Sequence, residues 1–356
     1  MHSPDLLRRR RYTQHLAGAP LAGAEHVVRL LGAVQSQDYP GAKWSVGQRV
    51  QGGTDALIEE AFNAGRILRT HVLRPTWHFV TPADIRWMLE LTAPRVQLLV
   101  AYQNRKLELD APLLARCLTA MAGALEGGRQ LTRAEVGAAL ERAGIVAATQ
   151  RLAHVMMHAE LEGLVCSGAL KGKQHTYALL TERAPRARSL QRAEALAELA
   201  RRFFLGHGPA TLKQMVWWSG LTVADVKRGH AMIERELAHV DVDGTMFWFD
   251  PSVTVPNREP LAAYLIPEYD EVLIGYGELD VPDLPRARRV GLEIGRFDRP
   301  IIFGGTRVGT WRRTIGERDA VMETILFAPL APAPTKALAK AVERYATFLG
   351  MPVTAA

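Results

Sequence analysis

The sequence predicts a mainly α chain with small β-hairpins, an α+β fold, on three observations. Amphipathic helical periodicity recurs over most of the chain. It is interrupted three times by a short β-rich pair of segments that follows a group of helices. From Leu261 onward the pattern turns to β before one closing amphipathic helix.

Each element has a local reason. Val27, Val28, Leu30, Leu31 and Val34 mark a helix over Ala24–Val34, and a second follows over Asp55–Ala64, ended by Gly65. Ile67–Val80 is rich in β-branched and aromatic residues, as a strand pair is, and Thr81–Asp84 has capping-type spacing for the next helix. The middle third repeats the plan. Asp110–Leu125 is a helix, the capping box Thr132-Arg-Ala-Glu135 opens a second, and Ala147–Glu162 is a third, ended by Gly163. Leu164–Leu179 then makes two strands around a Gly/Lys-rich turn. A third pass comprises Ser189–Phe204, Thr211–Trp218 and Thr222–Leu237, followed by a hairpin over Ala238–Phe249 that turns at Asp243-Gly244. Leu261–Trp311 reads as β structure with a turn at Gly304-Gly305, and Lys336–Leu349 is the closing helix.

Three helices followed by a hairpin is the plan of a winged helix, whose third helix can enter a major groove. The passes share too little residue identity to count as a sequence repeat. The expected organisation is three tandem winged-helix units, 1–108, 109–186 and 187–260, followed by a C-terminal β-rich segment and closing helix, 261–356.

A length of 356 residues exceeds one ordinary core and suits two or three domains. Lys and Arg exceed Asp and Glu by 44 − 37 = 7, a surplus that favours a polyanionic partner through counterion release. Cys117 and Cys166 lie far apart and in no metal-ligand spacing, which argues against a disulfide framework or zinc module and for a reducing cytoplasm. MHSPDLLRRRR has no apolar segment after it, so no secretory signal is expected. The longest apolar runs fall short of the ~20 residues of a membrane helix. A soluble cytoplasmic protein with no membrane partner is the expectation.

The sequence has no P-loop, no GxGxxG after a strand and no GxSxG elbow. His154 and His158 have the spacing of two zinc ligands, but Val155 stands where a metalloprotease needs Glu. They are taken as structural, and neither metal nor cofactor is expected. The Arg8–Arg11 run is either a solvated arm or, through Arg9 and Arg10, a DNA contact. Lys171 and Lys173 on the turn of the second hairpin, and Arg307, Arg312 and Arg313 around the expected hairpin RVGTWRR, are further candidates for phosphate contact.

The segment AVQSQDYPGAKW, Ala33–Trp44, carries the sharpest signal. Gln35 and Gln37 are separated by one residue where helical periodicity fails. On a helix they would face roughly 200° apart, whereas in extended backbone both amides can point one way. They either bridge parts of the fold or present a pair of amides. Asp38 either orients Gln37 or caps the next helix. Thr76 and His78 alternate along TWHFV and share a face, as site-lining residues or as a hydrogen-bonded structural pair.

VQSQDYPGA resembles the Gln-Φ-Gln motif of the AlkZ-like, YcaQ-related crosslink-repair DNA glycosylases, which fold as three tandem winged helices. VLRPTWHFV (Val72–Val80), LIPEYDEVLIGY (Leu265–Tyr276) and RVGTWRR (Arg307–Arg313) resemble further blocks of that family in the same order. The middle motif position departs from the pattern, being Ser36 rather than an apolar residue. The resemblance implies two polar side chains over the sugar–base bond, Gln37 the more directly catalytic and Gln35 its partner. A neutral amide is no general base, but it can hold a water in line with the anomeric carbon. That suffices for a purine alkylated at N7 or N3, which leaves readily because it is cationic. The implied protein is a monomeric, monofunctional DNA glycosylase that acts on double-stranded DNA with alkylated bases, either small lesions alone or also bulky adducts and interstrand crosslinks. No Lys stands inside the motif, so no Schiff-base step is implied. The alternative is a non-catalytic winged-helix regulator, which would usually dimerise.

Overall fold

The computed structural model describes residues 3–257, 261–276 and 299–355. It begins with a helix where an arm or solvated face was expected, Ser3–Thr13, with Asp5 in its first turn and Arg10 and Arg11 in its last, as the helix dipole favours.

The chain then lays down the same element order three times: a helix, a short strand, two helices and a hairpin. The first pass is Ala24–Leu31, Val34–Gln35, Tyr39–Gly47, Asp55–Asn63, then strands Leu68–His71 and Trp77–Val80. The second is Ala111–Leu125, Leu131–Thr132, Arg133–Arg142, Thr149–Leu161, then Val165–Ser167 and Thr176–Leu179. In the third, Arg192–His207 is followed by Ala210, a single bridging residue, then Leu212–Ser219, Val223–Ile233 and the hairpin Ala238–Val242 with Thr245–Phe249. Each time the short first strand or bridge pairs antiparallel with the last strand of the hairpin, which pins the intervening helices to the sheet. The long helix Ile85–Lys106 joins the first pass to the second.

Local chemistry sets these boundaries. Thr132 and Thr211 both complete reciprocal capping boxes, with Glu135 and Gln214. Asp110 accepts from Leu113 N–H, and Thr54 from Leu57 N–H. The Tyr39–Gly47 helix was not expected. Every residue from Gly41 to Gly47 is buried, so it shows no polar face and hence no amphipathic period. Pro40 in its first turn suits a helix start.

The C-terminal part forms a five-stranded sheet in the order Val353–Ala355, Ala320–Leu326, Thr306–Ile315, Pro300–Phe303, Ala263–Leu265, covered by the helix Pro332–Leu349. RVGTWRR lies within one strand, and Glu271–Ile274 is a short helix inside the expected β region, opened by Asp270, whose carboxylate accepts from Val272 N–H. The rest of that region, 277–298, lies outside the described residues.

This segment is not a separate body. Val27, Trp44, Phe62 and Phe79 of the first pass share one core with Leu265, Trp311, Tyr345 and Phe348. The indole N–H groups of Trp44 and Trp311 donate to Leu265 O at 2.7 Å and Ile266 O at 2.9 Å. The third pass shares a second core with the long helix, through Trp87 and Met88 against Phe203, Phe204 and Trp218. The second pass encloses its own, around Met121, Leu140, Met156 and Tyr177, and both cysteines are buried and unpaired. Among the described residues no helix is long and apolar enough to cross a membrane.

Candidate active site

Gln35 ends the short strand of the first pass, directly opposite His78 on Trp77–Val80. That strand is an edge of its sheet, so its outward groups need partners from elsewhere. Gln35 N–H finds one 236 positions away, donating to Glu271 Oε1 at 2.9 Å. Ser36 N–H donates to Trp77 O at 2.7 Å, and Ser36 O accepts from Arg69 Nε and Nη2 at 3.2 and 3.1 Å. The chain then bends outward through Gln37 and Asp38 into the Tyr39–Gly47 helix. Gln35 is 8 % exposed and Ser36 fully buried, whereas Gln37 is exposed and its amide makes no hydrogen bond among the described residues.

Arg74, in the hairpin turn between the two longer strands, reaches both Gln35 and His78. Its Nη2 lies 3.5 Å from Gln35 Oε1 and 3.5 Å from His78 Nε2. His78 Nδ1 is 2.9 Å from Thr76 O, and a carbonyl only accepts, so Nδ1 carries the proton and the Nε2 lone pair faces Arg74. Burial, and then the Arg74 charge, hold the His78 pKa well below its usual range, leaving the ring neutral. Thr76 supplies this contact from its backbone. Its hydroxyl is buried without a partner among the described residues.

Beneath the motif lie two adjacent buried carboxylates. Glu271 accepts from Gln35 N–H, from Trp218 Nε1–H at 3.0 Å and faces His207 Nε2 at 3.4 Å. Asp270 holds Arg49 through Nη2 at 2.7 Å and Nη1 at 2.8 Å, and accepts from Ser45 Oγ at 2.7 Å. Asp38 stands at the start of the Tyr39–Gly47 helix without a side-chain cap bond. Its Oδ2 instead bridges Arg313 at 3.2 Å and Arg299 at 3.5 Å. Tyr39 packs edge-on to His175 of the second pass, with ring centroids 4.7 Å apart, and burial lowers the His175 pKa to about 4.

The structure therefore brings Gln35, Thr76 and His78 together, and draws Arg313 to Asp38 rather than to solvent. Two cations expected at DNA are buried instead. Arg10 is 2 % exposed, donating to Pro209 O at 2.9 Å and lying over the Tyr276 ring, and Arg307 is 2 % exposed beside Phe327. A guanidinium buried in protein cannot reach a phosphate. Arg9 is half-buried against Phe249 and donates to Val253 O at 2.9 Å. Lys171, Lys173 and Arg312 are exposed, with Lys171 paired to Glu135. His154 contacts Asn104 at 2.7 Å, and no group of residues suited to a metal ion occurs among the described residues. Sequence reasoning missed Arg74 and Glu271, although both lie inside blocks already singled out.

Comparison with known proteins shows the family to which this arrangement belongs. A family model described as "DNA glycosylase AlkZ-like" matches residues 28–348, and the chain belongs to that family of DNA glycosylases. The solved structure of Streptomyces sahachiroi DNA glycosylase AlkZ superposes with a TM-score of 0.78 over 100 % of both chains at 19 % identity, a likeness in fold. No curated protein matches the chain.

Proposed function

We propose that this DNA glycosylase hydrolyses the N-glycosidic bond of cationic N7- or N3-alkylated purines in duplex DNA, as a monofunctional, monomeric enzyme. Gln37 holds the attacking water, and Gln35 sets the geometry beside it. The observation that carries this reading is the contrast between the two amides. Gln35 is buried, with its backbone held by Glu271 and by pairing with His78 and its amide 3.5 Å from Arg74, whereas Gln37, two residues on, is exposed and makes no hydrogen bond among the described residues. A preorganised neighbour and a free acceptor are what water positioning requires. The three passes serve as winged-helix units divided near 108, 186 and 260, with the exposed Lys171, Lys173 and Arg312 on phosphates. Bulky adducts and crosslinks fall within the substrate range because the motif sits at an open bend.

The test is release of N7-methylguanine from methylated duplex DNA. Gln37→Ala is expected to lower the rate roughly 10²-fold, the scale of losing the positioning of an attacking water, while binding of undamaged duplex stays unchanged. No release by the wild type from methylated or N7-crosslinked duplex refutes the enzyme reading.

A further inference from the structure

Each pass ends its helical part on a third helix, and the three are presented very differently. On Asp55–Asn63 the surface is acidic, with Asp55 and Glu59 held by Lys43 at 2.6 and 2.9 Å and Glu60 paired to Arg66. Thr149–Leu161 packs against strand Leu68–His71, with Glu160 accepting from His71 N–H at 3.2 Å and from Trp77 Nε1–H at 3.4 Å. Val223–Ile233 leaves a side open that carries cations unpaired among the described residues. It buries Val226, Gly229, His230 and Ile233, and exposes Val223, Lys227, Arg228 and Met232, with Arg235 following. Among the described residues Lys227, Arg228 and Arg235 make no ion pair or side-chain hydrogen bond. Of the neighbouring acids, Asp225 is held by Arg192 at 3.0 Å and Glu236 by Arg201 at 2.7 Å, which leaves Glu234.

The helix is also mounted as a DNA-binding helix would be. Leu212–Ser219 precedes it, joined by Gly220, Leu221 and Thr222, a three-residue helix-turn-helix connection. Gly220 adopts the left-handed φ of 67°, and a Cβ there would meet Leu73 O at 2.5 Å. The turn is therefore pressed against the hairpin turn that carries Arg74, which itself reaches Gln35. Trp218, on the first of the two helices, donates to the same Glu271 that holds Gln35 N–H. The open helix and the motif are thus mounted on common residues.

We infer that the Val223–Ile233 helix seats the duplex whose damaged base meets the motif, with Lys227, Arg228 and Arg235 on backbone phosphates. This rests on the duplex-DNA reading above and assigns the surface that holds the partner. The contact is electrostatic rather than a base readout, since an enzyme that finds lesions anywhere must seat any sequence.

The experiment measures binding of a short undamaged duplex by fluorescence anisotropy across a salt series, using the full chain. The variant Lys227→Ala/Arg228→Ala/Arg235→Ala is compared with wild type and with Lys336→Ala/Lys340→Ala, exposed cations on the C-terminal helix. The triple variant is expected to lose roughly 10²-fold in affinity at about 0.1 M salt, and its log–log salt slope to fall by about 0.9 per cation removed. The Lys336/Lys340 pair is expected to leave both unchanged. An unchanged slope and affinity in the triple variant overturn the inference, even if base release establishes the glycosylase. A wild type that frees no base refutes the enzyme reading instead, and a collapsed salt slope in the triple variant then still supports the seat. All substitutions are on exposed helical or turn positions, and unchanged thermal unfolding verifies the fold.

Discussion

Asp270 and Glu271 are chain neighbours and both fully buried, yet their environments differ in kind. Asp270 meets a guanidinium face to face, and Arg49 is itself completely enclosed. Glu271 touches no Lys or Arg among the described residues; its partners are a backbone N–H, an indole N–H and an imidazole. The first arrangement joins the C-terminal segment to the first pass. The second places a carboxyl group beside the motif, bonded to the Gln35 backbone. Burial alone therefore does not show what a carboxyl group holds in place, but the identity of its partners does.

Parallel amide substitutions break the comparison open. Asp270→Asn leaves Arg49 buried and uncompensated, and is expected to destabilise by about 3–5 kcal/mol, read as a lower urea midpoint. Glu271→Gln strands at least one of the N–H groups its two oxygens now accept, an expected loss of about 1–3 kcal/mol. Its base-release rate is expected to fall while affinity for undamaged duplex holds, because the motif strand loses its outer partner. Equal stability losses at the two positions would erase the distinction. Ser36 sharpens it from the other side: its hydroxyl is buried without a partner among the described residues. Ser36→Ala is expected to stabilise by about 1 kcal/mol and preserve release, and a loss of release would assign that hydroxyl a role.

Much of this was legible from local signals. The capping box at Thr132 and the turn at Asp243-Gly244 lie where their residue types place them. The strand Val34–Gln35 was not legible: helical periodicity runs on through Val34, whereas the helix ends at Leu31 and Gln35 pairs with His78. The Tyr39–Gly47 helix was hidden because burial on all sides erases periodicity. Arg10 and Arg307 looked like surface cations because charge does not reveal whether a carbonyl or an aromatic ring waits inside. Glu271 was visible as a residue in LIPEYDEVLIGY, but its purpose depends on Gln35, which only the fold brings near.

The shared core of the first pass has a consequence during synthesis. Trp44, Phe62 and Phe79 are covered by Leu265, Trp311, Tyr345 and Phe348, and the last of these emerge from the ribosome long after the first. At typical elongation rates the motif's own unit waits on the order of 10–50 s with that apolar face open. The second pass, whose core is contiguous in sequence, closes in the meantime. The nascent chain is therefore most vulnerable to aggregation and to chaperone capture at its first pass, and a truncation that removes the Pro332–Leu349 helix leaves that face permanently unsealed.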